Sequence, residues 1–306
     1  MLSIKKYNEK YFNEWNDFTY NDSNNGTIFH NRIFLSYHID RSFIDYSLLF
    51  YYNKKLIAVL PATLLSEKRK KVLHSHPGAS YGGFVIKKFL KFNIIDLMVR
   101  ALSQFCKRNK FDSIFLINPP QAYFESADES LDYLLLWHGF SQKEIYISHA
   151  VNLNAEINVT SLLKKRKKRY VKNSIEQMNI VFKDIYDFKD FYYLLSINKK
   201  KYHSKPTHSL KELISLKNLL PDSIKLIVAI NDNEIIGGTL LFLLNKKVSL
   251  VFYNIVDKRF RTTQLSTFQL VNCMKLSKKL GLSIIDLGVS HTPELKNPFA
   301  PKKSLI

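Results

Sequence analysis

The feature that most constrains this chain is that one order of elements occurs twice. A β-rich run over residues 48–65 turns at Asn53-Lys54-Lys55, and another over 224–244 turns at Asn231-Asp232-Asn233-Glu234. Both read as hairpins, because turn-forming polar residues interrupt apolar, β-prone runs. The first is followed by another extended stretch and then by a helix in which Ile94, Leu97, Met98, Ala101, Leu102 and Phe105 recur at helical spacing. Asn93 is placed to cap its start and Asn109 to end it. The second is followed by a strand over 248–256 and a helix over 266–280, stopped by Gly281. A last strand closes each copy, Ser113-Ile114-Phe115-Leu116-Ile117-Asn118 and Ser283-Ile284-Ile285-Asp286-Leu287-Gly288. Such a repeat predicts an α+β fold (α/β mixed sheet) with two domains, 1–155 and 156–306. The polar stretch Asn152-Leu153-Asn154-Ala155-Glu156-Ile157-Asn158 marks the boundary.

Helices are expected ahead of each hairpin. Tyr7, Tyr11, Trp15 and Phe18 suggest one in the first half, and Phe188, Phe191, Tyr192 and Leu195 one in the second. Ser209-Leu210-Lys211-Glu212 has capping-box spacing, and Pro221 closes the helix that it starts. With 306 residues, 46% of them hydrophobic, the chain has enough apolar surface for two cores. Cys106 and Cys273 lie among apolar helix neighbours and read as buried side chains. No metal-ligand spacing, Walker loop or dinucleotide loop occurs. The polar start and the absence of any apolar run of roughly 18 residues lead to the expectation of a cytoplasmic protein. A formal charge of +20 suits a polyanionic or phosphorylated partner, or an anionic membrane surface, although a Lys-, Asn- and Ile-rich composition can raise it without such a partner.

Several segments, taken in order, resemble the FemAB-like branch of the GNAT acyltransferases, which carry two GNAT-type domains in tandem. They are Phe29-His30; Ser75-His76-Pro77-Gly78-Ala79-Ser80-Tyr81-Gly82-Gly83; the basic helix around Arg166 and Arg169; Tyr202-His203 with Pro206-Thr207-His208; and Ile285-Asp286-Leu287-Gly288. The resemblance implies transfer of an acyl or aminoacyl group to an amine or hydroxyl of a cell-wall precursor or sugar. Acyl-CoA is the expected co-substrate, with no tightly bound cofactor, and aminoacyl-tRNA is the alternative donor. A binding protein for nucleic acid or envelope that has kept this fold without the chemistry is the reading from another class. The glycine-rich phosphate loop of a standard GNAT domain has no counterpart in Lys258-Arg259-Phe260-Arg261-Thr262-Thr263-Gln264-Leu265-Ser266.

Acyl transfer needs an aligned nucleophile, a donor for the developing oxyanion and a route for the proton. Arg259, Arg261, Thr262, Thr263 and Ser266 surround a helix start, where they can hold a phosphate or simply form a capped basic loop. Tyr253, on the strand feeding that loop, is a candidate proton donor or a packing aromatic. Asp286 interrupts an apolar strand, so it must face a cleft as a base or pair with a hydrogen-bond donor. His203 is a candidate proton relay, with Thr207 and His208 beside it as substrate contacts. Tyr81 and Gly82 belong to a bend whose glycines allow close backbone approach, either to substrate or as a tight bend packing the two domains together, and the family resemblance adds His30 as a substrate contact. In the run Lys164-Lys165-Arg166-Lys167-Lys168-Arg169, Arg166 and Arg169 share a helix face suited to one phosphate, or to solvent. Most of these candidates lie in the second half, which leaves the first as the wall of an acceptor cleft.

Overall fold

The computed structural model describes residues 1–38, 41–67, 69–154, 156–177, 181–185, 187–201 and 203–290. Tyr202 and the C-terminal residues from 291 onward lie outside them. The chain forms two compact units, Met1–Ile145 and Tyr146–Ile306.

The first unit runs β1 (Leu2–Lys6), α1 (Phe12–Asp17), α2 (Arg32–Leu35), β2 (Leu48–Tyr52), β3 (Lys55–Leu60), β4 (Ala62–Glu67), β5 (Lys70–Ser75), β6 (Val85–Ile86), α3 (Phe92–Arg108), β7 (Ser113–Phe115) and α4 (Ser130–Trp137). Its strands form two sheets, in the orders β1-β2-β3-β6 and β4-β5-β7. Pro61 sits between β3 and β4, where the missing N–H breaks a ladder and lets the strand pass from one sheet to the other. The amphipathic helix is α3, whose Ile94, Met98 and Leu102 pack with Leu48, Phe50 and Leu60. It starts earlier than expected: Lys91 is the extended N-cap residue and Asn93 lies inside the first turn, while Asn109 caps the end as read. The expected first helix is also different, since Tyr7 precedes it and α1 is flanked by a 3-10 turn and a π turn.

The second unit runs β8 (Ile147–Asn152), α5 (Lys165–Gln177), β9 (Val181–Asp184), α6 (Lys189–Lys200), α7 (Leu210–Leu219), β10 (Ile224–Asn231), β11 (Glu234–Leu243), β12 (Val248–Val256), α8 (Leu265–Lys279) and β13 (Ile284–Ser290). Six strands make one mixed sheet, β8-β13-β12-β11-β10-β9. Residues 147–152, expected before a boundary at 155, pair antiparallel with β13 and so belong with this unit. Val271, Cys273 and Met274 of α8 pack on Leu241, Val251 and Ile285. Full burial of a large side chain of this kind contributes roughly 1.5–3 kcal/mol. The Ser209–Glu212 capping box forms reciprocally at the start of α7.

Both hairpins turn through two left-handed residues, Asn53 (φ 47°) and Lys54 (φ 66°) in one, and Asp232 (φ 49°) and Asn233 (φ 65°) in the other. Two-residue turns of this hand match the twist of the strands, and Asn and Asp tolerate them far better than Lys. Replacing Lys54 with Gly is therefore expected to stabilise the first unit by about 0.5–1 kcal/mol. The readout is urea unfolding followed by tryptophan fluorescence, since Trp15 and Trp137 both lie in this unit.

Candidate functional site

Each unit contains two parallel strands that pair over three residues and then part. In the first, Val72, Leu73 and His74 of β5 pair with Ser113, Ile114 and Phe115 of β7. In the second, Val248, Ser249 and Leu250 of β12 pair with Ile284, Ile285 and Asp286 of β13. Past this point the strands turn to other partners: β12 stays on β11 to Gly237↔Val256, and β13 stays on β8 to Ser290↔Ile147. A wedge between diverging strands exposes main-chain groups to whatever enters it.

In the first unit the wedge is closed from within. Gly82 N–H donates to Ile117 O (2.8 Å), and Ile117 N–H donates to Ser75 Oγ (2.7 Å). A Cβ on Gly82 would meet Ser75 Cβ at 2.8 Å, so no larger residue fits this bend. His30 holds the bend from behind. Its Nε2–H donates to Gly82 O (3.0 Å), and its Nδ1 accepts from Thr27 N–H (3.0 Å). The ring is fully buried, and burial pulls its pKa down to about 4. Tyr81 packs edge-on against Tyr123, with centroids 5.5 Å apart. The expected substrate contacts His30, Tyr81 and Gly82 thus form an internal plug, because backbone groups freed by the parting strands are satisfied by this loop.

In the second unit the wedge carries side chains suited to chemistry. β12 holds a bulge: Leu240 pairs with Tyr253 and Leu241 with Val251, leaving Phe252 as an extra residue. A bulge re-aims the residues that follow it. Tyr253 turns toward the loop before α7, where its hydroxyl accepts from Thr207 N–H (3.0 Å) and lies 3.3 Å from His208 Nδ1. Tyr253 and His208 are both buried. Burial raises the Tyr253 pKa, against the lowering effect of the Thr207 bond, so the phenol is protonated at neutral pH. Lys199 Nζ lies 5.8 Å from the centroid of the Tyr253 ring, and its own pKa is lowered by burial.

Other expected residues fall elsewhere. Asp286 is fully buried, and its carboxylate accepts from Ser148 Oγ–H and from Gly288 N–H (2.7 Å). Asp286, expected as a base or as a hydrogen-bonded partner, is thus bonded at the irregularity of the β13–β8 ladder. His203 is exposed, with φ 50°, just past the end of α6, and its N–H donates to Lys200 O. His208, expected as a substrate contact, lies beside the Tyr253 hydroxyl.

The whole-chain fold has solved counterparts. FemX superposes with a TM-score of 0.70 at 12% identity, covering 96% of this chain and 90% of that one. The fold is FemAB-like, of the GNAT type. L-PGS from Bacillus licheniformis superposes with a TM-score of 0.58 at 10% identity, over 96% of this chain and 80% of that one. A tandem GNAT protein from the clavulanic acid biosynthesis pathway does so with a TM-score of 0.51 at 8% identity, over 94% and 89%. No protein-family profile and no curated protein sequence matches the chain.

In this GNAT-type frame, the turn into α8 reaches its left-handed conformation without glycine, because Gln264 adopts φ 62° at the N-cap. Lys167 of α5 donates to Gln264 Oε1 and lies 3.3 Å from Thr267 Oγ1. Ser266 Oγ accepts from Asn254 Nδ2–H (3.0 Å), which leaves the Ser266 hydroxyl proton to donate outward. Arg261 and Thr262 are exposed on the preceding turn, and Thr263 Oγ–H donates to Phe260 O (2.6 Å). Arg259 departs from expectation: Asp257 (2.8 Å) and Glu234 (2.5 Å) hold it, and these carboxylates raise its pKa. Arg166 and Arg169 point to solvent, and Lys167 is the cation of the run that reaches α8. Lys167 lies one turn before Val171, a buried apolar residue of the same helix, a spacing that marks the inner face. Gln264 and Asn254 carried no such signal, because a left-handed N-cap and a buried amide network depend on contacts distant in sequence.

The plug sets a pH dependence. His30 is neutral in the fold with a pKa of about 4, whereas the unfolded chain takes up the proton near 6.5. The unfolded state binds more protons, so the stability present above pH 6.5 is lost as the pH falls toward 4. His76, lowered to about 3 by burial, acts in the same direction. Between pH 7 and 4.5 the first unit is expected to lose about 2.4 kcal/mol through His30 alone. Urea midpoints by tryptophan fluorescence measure this loss, and His30→Gln is expected to flatten the pH slope.

Proposed function

We propose that this protein transfers an acyl group from a thioester of the acyl-CoA type to an amine or hydroxyl of a cell-envelope precursor or sugar, at the β12–β13 wedge of the second unit. The observation that carries this reading is Tyr253, a buried, protonated phenol held on a bulge at that wedge by Thr207 and His208. Main-chain N–H groups of the parted strands polarise the acyl carbonyl. The acceptor's nitrogen or oxygen bonds to the carbonyl carbon as the C–S bond breaks. The departing thiolate takes the Tyr253 proton, the acceptor's proton leaves to water, and His208 relays one proton from water back to the phenolate, which restores both groups.

The donor's phosphates fit the start of α8. There the N–H groups of the first turn, the Ser266 hydroxyl and Lys167 come together, Gln264 replaces a glycine in the turn, and Arg261, whose guanidinium donates to Asn198 Oδ1 (3.4 Å), stands on the turn before it. The exposed cations of α5 beside this place, Arg166 and Arg169 among them, favour one other reading, in which the donor is an aminoacyl-tRNA.

Tyr253→Phe is expected to lower kcat about 100-fold with little change in KM, while far-UV circular dichroism and the melting temperature show an intact fold. Full activity in that variant removes Tyr253 as the proton donor. For the donor, acetyl-CoA or a longer acyl-CoA at about 100 times its Kd is expected to stabilise the full chain by about 2.7 kcal/mol. A thermal shift with charged tRNA and none with any acyl-CoA selects the aminoacyl donor instead.

A further inference from the structure

A surface of the first unit combines cations and exposed aromatic rings. Lys87-Lys88-Phe89-Leu90-Lys91-Phe92 alternates the two classes at the entry to α3. Phe89 is 85% exposed and Phe92 52%. A second row comes from α4, where Tyr133 and Trp137 share a face one turn apart, opposite the buried Leu131, Leu134 and Leu135. The rows are continuous: the Phe92 and Tyr133 rings are 6.0 Å apart, and Tyr133 stacks on Trp137 at 6.1 Å. Trp137 is 71% exposed. Apolar side chains scattered singly need no explanation, but a contiguous aromatic row marks a place of contact.

The charges around the rings indicate what it contacts. Among the described residues neither Lys87 nor Lys91 has an acidic partner, while Lys88 is paired with Glu125 at 2.7 Å. Glu125, Glu129 and Asp132 are exposed acids on this side; Glu125 is held by Lys88, and the Asp132 carboxylate accepts from Asn118 Nδ2–H (3.0 Å) and Gln121 Nε2–H (3.2 Å). Tyr133 and Trp137, with apolar bodies and polar tips, and the wholly apolar Phe89 and Phe92, set among lysines, suit the boundary between lipid headgroups and acyl chains. Lysine stems lie along apolar surface while their ammonium groups reach phosphate. A neutral sugar chain would use the ring faces but not the lysines.

We propose that this surface docks on an anionic lipid bilayer, with Phe89, Phe92, Tyr133 and Trp137 entering the headgroup region and Lys87 and Lys91 meeting lipid phosphates. The surface lies in the first unit, so the proposal stands independently of the chemistry assigned to Tyr253.

Tryptophan emission tests it directly, because Trp15 is fully buried and Trp137 is the open reporter. Mixed phosphatidylcholine–phosphatidylglycerol vesicles added to the full chain are expected to shift the emission to the blue, and phosphatidylcholine vesicles to do so weakly. Trp137→Phe is expected to lose the shift yet still sediment with the mixed vesicles. K87Q/K91Q is expected to weaken binding about 30-fold, at about 1 kcal/mol for each lysine. Sedimentation without a blue shift, meaning that the chain's net charge alone holds it, overturns the proposal. So does an absence of binding, or a shift produced by a soluble neutral oligosaccharide and not by vesicles.

Discussion

The second unit depends on how briefly β12 and β13 pair. Three residue pairs join them, from Val248↔Ile284 to Leu250↔Asp286, after which each strand keeps only its outer neighbour. Several polar interactions maintain the parting. Asp286 binds Gly288 N–H and Ser148 where β13 changes register, and the bulge at Phe252 turns β12 at almost the same level. On the α8 side, Gln269 Nε2–H donates to Ile255 O (3.0 Å) and to Asn254 Oδ1 (2.5 Å), while Asn254 donates on to Ser266. These bonds tie the strand geometry to the start of α8, although Gln269 Oε1 is buried without a hydrogen-bond partner among the described residues.

The same geometry appears in the first unit with a different outcome. There the three-pair ladder of β5 and β7 also ends in a parting, but Ser75, Gly82 and Ile117 use the freed backbone groups. His30 makes the closure durable by spending both ring nitrogens on it. In the first unit a loop thus satisfies its own sheet, whereas in the second the wedge has Tyr253 beside it. That loop also explains why the glycines at 82 and 83 attract attention: Gly83 has φ 72°, and a Cβ there would meet Asn118 Oδ1 at 2.1 Å.

The part proposed for Tyr253 rests on its surroundings. Burial favours its neutral form, Thr207 N–H fixes the oxygen, and His208 stands within reach of the proton. The cation set near α8 follows the same logic. Position on the inner face of α5 selects Lys167, whereas Arg259, the more obvious phosphate ligand, is neutralised by Asp257 and Glu234.

Local pattern determined much of this protein. The two hairpins, with Asn53-Lys54 and Asp232-Asn233 at their turns, are legible because turn chemistry and alternation are short-range, and α3 and α8 because apolar spacing repeats every few residues. Tyr253, Thr207 and His208 were also legible as candidates, since polar groups on a strand and in a Pro-containing loop stand out from their neighbours. Only the tertiary structure decided which of them meet. His30 and Asp286 look reactive in the sequence, yet partners far along the chain, Gly82 in one case and Ser148 in the other, bury and occupy them. The role of an ionisable group is set by desolvation and by the hydrogen bonds it makes, and both come from residues distant in the chain.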